Sequence, residues 1–199
     1  MSGEALIVID MQYDFCPGGA LAVAEGDLII PEINRLIARF EHVILTQDWH
    51  PSGHSSFASS HPGKAPFEGI EMPYGPQTLW PDHCIQGTTG AEFHEALEWT
   101  KAELVVRKGF RKGIDSYSAF YENDHKTPTG LGGYLKERGI SKVTLCGLAT
   151  DFCVAFSALD AASQGLSTTV VLEASRGIDL GGSIVTMNDK MKAAGVNLA

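Results

Sequence analysis

Positive charge is scarce in this sequence: 15 Lys and Arg stand against 24 Asp and Glu, leaving a formal net charge of −9. Such a surface repels nucleic acid and anionic membrane, so neither is an expected partner. There is no long hydrophobic run. The apolar stretch from Ala5 to Ile9 is too short for a membrane span or a signal core, and no basic segment precedes it. A soluble, cytoplasmic protein is therefore expected. Cysteine is also sparse. Cys16, Cys84, Cys146 and Cys153 show no C-x-x-C spacing and no dense framework, which points to free thiols in a reducing compartment. Low-complexity tracts, internal repeats and linkers are absent too.

What is present fits one globular domain. The length of 199 residues allows a full core, and 44 % apolar with 20 % charged residues is an ordinary globular balance. Short apolar runs alternate with helical patterns. Strands are expected at Leu6–Ile9, Val43–Thr46, Leu104–Arg107, Val143–Cys146 and Thr168–Leu172. Helices are expected at Leu28–Phe40 with Asp27 as N-cap, Leu131–Arg138 ending at Gly139, Asp151–Ser163 and Ile184–Ala194. This alternation indicates a single-domain α/β fold over 1–199, with a mostly parallel central sheet and helices on both faces. Residues 49–90 break the pattern. They are rich in Pro, Gly, Ser and His, as expected of a long folded loop that carries function.

In open parallel sheets, ligands bind beyond the carboxyl ends of the strands. Asp10 follows the first expected strand, Asp48 and His50 the second, Lys108 the third. The fourth leads through Gly147 to Asp151 into a helix whose first turn carries Cys153. A thiol there feels the positive end of the helix dipole, so a lowered pKa and a nucleophilic role are expected; the alternative is a buried core cysteine. Cys146, inside a strand, is read as packing. Asp10, behind four apolar residues, suits a proton acceptor with a raised pKa, or simply a turn aspartate. Phosphatases that attack from a carboxylate at this place need a second aspartate two positions on, where this chain has Gln12.

Asp48 and His50 lie at i and i+2, on one side of an extended segment, and can share an ion. His54 and His83 are further candidates. Imidazoles with one carboxylate suit Zn²⁺, Fe²⁺ or Mn²⁺. His42, His61, His94 and His125 are read as ordinary solvated histidines. Phe15, Trp80 and Tyr117 could wall an aromatic pocket or belong to the core. Gly18-Gly19 lacks the lysine and helix of a phosphate loop.

Five segments together match a known pattern: Ile7 to Leu21 with Asp10-Met11-Gln12-Tyr13-Asp14-Phe15, then Thr46-Gln47-Asp48-Trp49-His50, then Trp80-Pro81-Asp82-His83-Cys84, then Lys108-Gly109 with Asp115-Ser116-Tyr117-Ser118-Ala119-Phe120, and finally Gly147-Leu148-Ala149-Thr150-Asp151-Phe152-Cys153-Val154. In them the chain resembles the isochorismatase-like cysteine hydrolases, in particular their metal-binding nicotinamidase/pyrazinamidase branch. The resemblance implies a triad of Asp10, Lys108 and Cys153. It implies one divalent ion per chain (Zn, Fe or Mn) on Asp48, His50, His54 and His83. It also implies an oxyanion hole of main-chain N–H groups at Ala149 and Cys153, after a cis peptide at Leu148–Ala149. Phe15, Leu21, Trp80 and Tyr117 match substrate-pocket positions. The implied reaction is hydrolysis of nicotinamide to nicotinate and ammonia through a cysteine thioester, in NAD salvage, with pyrazinamide a further substrate and a homo-oligomer a further expectation. Rival readings are another amidase of the superfamily, such as an N-carbamoyl amidase, and a non-catalytic module on the same fold. A thiol-redox role is weaker, because Cys153 has no resolving cysteine nearby.

Overall fold

A computed structural model describes residues 3–199. The strands are β1 (Gly3–Ile9), β2 (His42–Asp48), β3 (Gly69–Met72), β4 (Gly75–Thr78), β5 (Leu104–Lys108), β6 (Ile140–Leu148), β7 (Ser167–Arg176) and β8 (Asn197–Leu198). The helices are α1 (Ile30–Arg39), α2 (Leu131–Glu137), α3 (Ala155–Ser163) and α4 (Ser183–Ala193). Six strands form one parallel sheet in the order β5-β2-β1-β6-β7-β8, and β3 pairs with β4 as a separate antiparallel hairpin. The expected α/β fold, with its mostly parallel sheet and helices on both faces, is the one observed.

β1 reads as continuous apolar sequence because it is central and covered on both faces. Its side chains divide with period two. Leu6 and Val8 pack with Ile33 and Ile37 of α1, while Ala5, Ile7 and Ile9 pack against Leu131 of α2, Ala158 of α3 and Met191 of α4. Where β6 runs beside the end of β1, Gly147 has φ +116°, and a Cβ there would stand 2.1 Å from the Ile9 carbonyl oxygen. Only glycine lets the strands approach so closely at the point where both deliver their functional residues.

Three local expectations change. Asp27 opens a 3₁₀ turn over Asp27–Ile29 and caps nothing; α1 starts at Ile30, with Pro31 in its first turn, where a missing N–H goes unneeded. The helix expected from Asp151 begins as a wide π-helical turn, Thr150–Val154, and becomes α-helical only at Ala155. Within the long loop the structure adds the β3–β4 hairpin. Among the described residues, no helix is long and apolar enough to cross a membrane.

Candidate active site

The register of β2 on β5 sets Asp48 beside Lys108, each the last residue of its strand. The Lys108 ammonium is fully buried, which is tolerable only because anionic partners surround it. Nζ donates to Asp48 Oδ1 at 2.6 Å, Ser116 O at 3.1 Å and Cys153 Sγ at 3.3 Å. Asp10 Oδ2 lies 2.7 Å from Nζ as a buried ion pair, and the carboxylate keeps lone pairs for a further proton. Asp10 reaches this place because its φ of +48° turns the chain out of β1; Thr46 Oγ1 fixes it by donating to Oδ1 at 2.6 Å. One oxygen each of Asp10 and Asp48 and the Cys153 sulfur lie within 4.8 Å of one another.

Burial and charge sort these groups. Burial pushes Asp10 above the usual carboxylate range; Lys108 opposes the shift and the Asp48 carboxylate adds to it. Burial acts on Asp48 in the same sense, but Lys108 and His50 outweigh it and hold that carboxyl well below the usual range. Burial would lower Lys108, yet Asp10, Asp48 and Cys153 carry it well above an ordinary lysine. The Cys153 thiol goes the other way from the helix-dipole expectation. Burial drives it well above an ordinary thiol, Lys108 opposing and the two aspartates adding. Cys153 rests as a protonated thiol, so an acceptor has to remove its proton when it reacts.

A second cluster adjoins the first. Asp48 Oδ2 lies 3.3 Å from His50 Nε2 and 3.5 Å from His83 Nε2. His50 Nδ1 meets Gly109 O at 2.9 Å and His83 Nδ1 meets Pro81 O at 2.8 Å. A carbonyl oxygen only accepts, so each Nδ1 carries a proton, which leaves each Nε2 as the atom that could bind an ion beside Asp48. With both rings neutral, three lone pairs would converge there on a place suited to a cation. Tetrahedral ligands at about 2.1 Å from an ion stand roughly 3.4 Å apart, so a divalent ion fits this trio. His54 is not brought into it. Its Nε2 lies 3.0 Å from Arg111 O and 3.1 Å from Ile114 O, and its Nδ1 accepts the Ser56 N–H at 3.2 Å. Both nitrogens are thus occupied, and His54 groups instead with His50 and Asp115. Gly109, at φ +63°, leaves room for the His50 ring: a Cβ there would stand 2.4 Å from its Cε1. Gly109→Ala should weaken zinc binding by about tenfold or more, measured by chelator competition, because the Nδ1 anchor and the ring must both move. An unchanged affinity would remove His50 from the ligand set.

A partly open pocket lies between the clusters, with about 320 Å³ of empty space when its mouth is counted. All four expected wall residues, Phe15, Leu21, Trp80 and Tyr117, line it with Ala149, Cys153, Asp48 and His83. Asp115, Phe152 and Ile178 also line it, and of these Asp115 and Ile178 were not singled out from sequence. Trp80 and Phe152 meet edge-on with centroids 4.9 Å apart, and Tyr117 packs against Phe152 at 5.6 Å. Ile178 is brought in by Asp151, whose carboxylate accepts the N–H groups of Ile178 at 2.9 Å and Asp179 at 2.8 Å. Asp14 ties two walls together: Oδ1 accepts from Ala20 N at 3.1 Å and Oδ2 from Cys84 N at 2.7 Å. The Leu148–Ala149 peptide is cis. Cys146 is buried inside β6 as expected, and His42 pairs with Glu103 at 3.1 Å, away from the site.

A parallel α/β sheet carrying an aspartate, a lysine and a cysteine at its carboxyl rim defines a class, and the isochorismatase domain family matches residues 4–198: the chain belongs to that family. Within it, the chain is 56 % identical to a nicotinamidase of Acinetobacter baylyi, over 96 % of this chain and 90 % of that one. A solved nicotinamidase/pyrazinamidase of Acinetobacter baumanii is 58 % identical with a TM-score of 0.98, covering 100 % of this chain and 96 % of the other. A pyrazinamidase of Pyrococcus horikoshii, solved in complex with zinc, is 36 % identical with a TM-score of 0.80, covering 98 % of each chain.

Proposed function

We propose that the chain is a nicotinamidase, hydrolysing nicotinamide to nicotinate and ammonia through a thioester on Cys153, with the whole of 1–199 acting as one hydrolase domain. The observation that carries this is the Lys108 ammonium, in reach of Asp10, Asp48 and Cys153, the last two of which line an aromatic-walled pocket. Asp10 Oδ2, with its free lone pair, takes the thiol proton as sulfur attacks the carboxamide carbon. Lys108 holds the thiolate and both carboxylates in register while charge shifts between them. The oxyanion is met by main-chain N–H groups of Ala149 and Cys153, each such donor being worth about 3 kcal/mol. As the C–N bond breaks, Asp10 hands its proton to the departing nitrogen and ammonia leaves. Water then attacks the thioester, Asp10 takes a proton from it, and the released sulfur regains that proton.

A divalent ion on Asp48, His50 and His83 would orient the substrate through its ring nitrogen and take no part in bond making. The zinc complex of the Pyrococcus relative supports an ion at this site, as does the paired Nδ1 anchoring of the two histidines. Pyrazinamide, with a ring of the same shape, is a second expected substrate. Four unpaired buried cysteines support a cytoplasmic setting.

The test is ammonia release from nicotinamide by purified protein, beside Cys153→Ala and a metal analysis. Release that vanishes in the variant, with about one metal per chain, is the expected result. No release from metal-loaded protein would sink the substrate assignment, and carbamoyl compounds would be assayed next.

A further inference from the structure

Gln12 occupies the place where a phosphatase would carry its second aspartate, and nothing in the reaction itself uses it. Its surroundings give it a different task. β1 pairs with β2 only as far as Val8 and Leu45, because the positive φ of Asp10 turns the chain away from the sheet. Asp48 lies three residues beyond Leu45, so on the β1 side its peptide groups have no strand to pair with. The Gln12 side chain fills that gap. Its Oε1 accepts the Asp48 N–H at 2.8 Å, and its Nε2 donates to Asp48 O at 2.8 Å. The second Nε2 proton goes to Ala91 O at 2.9 Å. A primary amide carries one acceptor and two donors on one plane, so it can stand in for a missing strand residue and anchor to a third segment as well. Gln12 is fully buried, and these are three satisfied hydrogen bonds away from water.

We propose that Gln12 is a positioning residue: its carboxamide replaces the strand that Asp10 abandons and so fixes the Asp48 carboxylate between Lys108 and the two histidine nitrogens. The geometry resolves a conflict built into the sheet. Asp10 must leave β1 to reach Lys108, and in leaving it strips Asp48 of its neighbour; two residues later the same segment supplies the substitute. The inference rests on the proposed role of Asp48 as a metal ligand. Gln12 acts through Asp48 and touches no substrate.

The experiment compares zinc affinity, by chelator competition, with nicotinamide kinetics and thermal unfolding for wild type, Gln12→Met and Gln12→Glu. Asn34→Ala serves as control. Asn34 makes a similar amide bridge, to Ala96 O at 2.8 Å and from Glu98 N at 2.9 Å, but far from the site on α1. Gln12→Met keeps the bulk and loses every hydrogen bond. Gln12→Glu keeps the acceptor for Asp48 N–H and turns a carboxylate toward two carbonyl oxygens. The expected result is zinc affinity lowered ten- to a hundredfold in both Gln12 variants, as for other residues that orient ligands, with kcat/KM falling in parallel. Asn34→Ala should lose thermal stability while keeping wild-type zinc affinity. Wild-type zinc affinity in either folded Gln12 variant overturns the proposal, and so does an equal loss in Asn34→Ala, which would reduce Gln12 to general stability. Zinc binding by the wild type tests the functional reading separately: a wild type that binds none removes that reading, and this inference falls with it.

Discussion

Lys108→Met should lose at least about a thousandfold in kcat/KM and about 3–5 kcal/mol of folding stability, the range for breaking a buried ion cluster by removing one partner. Methionine fits the space but leaves the Asp10 and Asp48 carboxylates facing each other with no counter-charge between them. Each then favours its protonated form, so their folded-state pKa values move above those of the unfolded chain. Stability from such groups is present at low pH and lost as pH rises through the raised values. The stability gap between variant and wild type should therefore narrow as pH is lowered from neutral. Denaturant titrations at a series of pH values would show it. A gap that stays constant, or turnover within tenfold of wild type, would contradict the central place given to this ammonium.

Asp10→Asn should cost about 10²–10⁴ in kcat, the usual worth of a general base, while leaving KM for nicotinamide close to wild type. The amide has the shape of the carboxyl group but cannot accept the thiol proton. Wild-type turnover should also show an acid limb. Asp10 must be ionised to act, and burial raises its pKa above the ordinary 3.8. Activity accordingly falls as pH drops through that raised value, and the midpoint lies above 3.8. In Asp10→Asn the residual activity should lose this limb. A variant that retained both its rate and its acid limb would assign the proton transfer to another group.

The part of the site legible in the sequence is the part that regular structure delivers. Asp10, Asp48, Lys108 and Cys153 each follow an apolar run, and parallel strands gather such positions at one rim. His50 follows from the two-residue period of an extended segment. What escaped depends on loops meeting across the chain. Asp115 and Ile178 reach the pocket from separate irregular segments, with Ile178 held there by Asp151 through the hydrogen bonds described above. His54 looked like a ligand by spacing, yet carbonyls of Arg111 and Ile114, nearly sixty residues away, claim its Nε2. The Cys153 thiol shows the same divide. A helix terminus is visible in the sequence and argues for a lowered pKa, whereas burial is a tertiary property and acts in the opposite sense. The β3–β4 hairpin escaped because its burial pattern is weak, with only Gln77 buried among its eight strand residues. β8 is only two residues long, too short to register as a period.

β5 is an edge strand, held by a single neighbour, and edge strands are where pairing errors arise most easily. Here the buried charges should penalise such errors. A slip of one residue along β2 would turn Lys108 to the opposite face of the sheet and leave Asp10 and Asp48 buried without a cation. The misregistered molecule would bear the full desolvation penalty of those charges, whereas the correctly registered one offsets it. The lysine proposed to hold the thiol thus also disfavours wrong alignments of the strand that carries it, so a chain that reaches its native register has already brought Asp10 and Lys108 together.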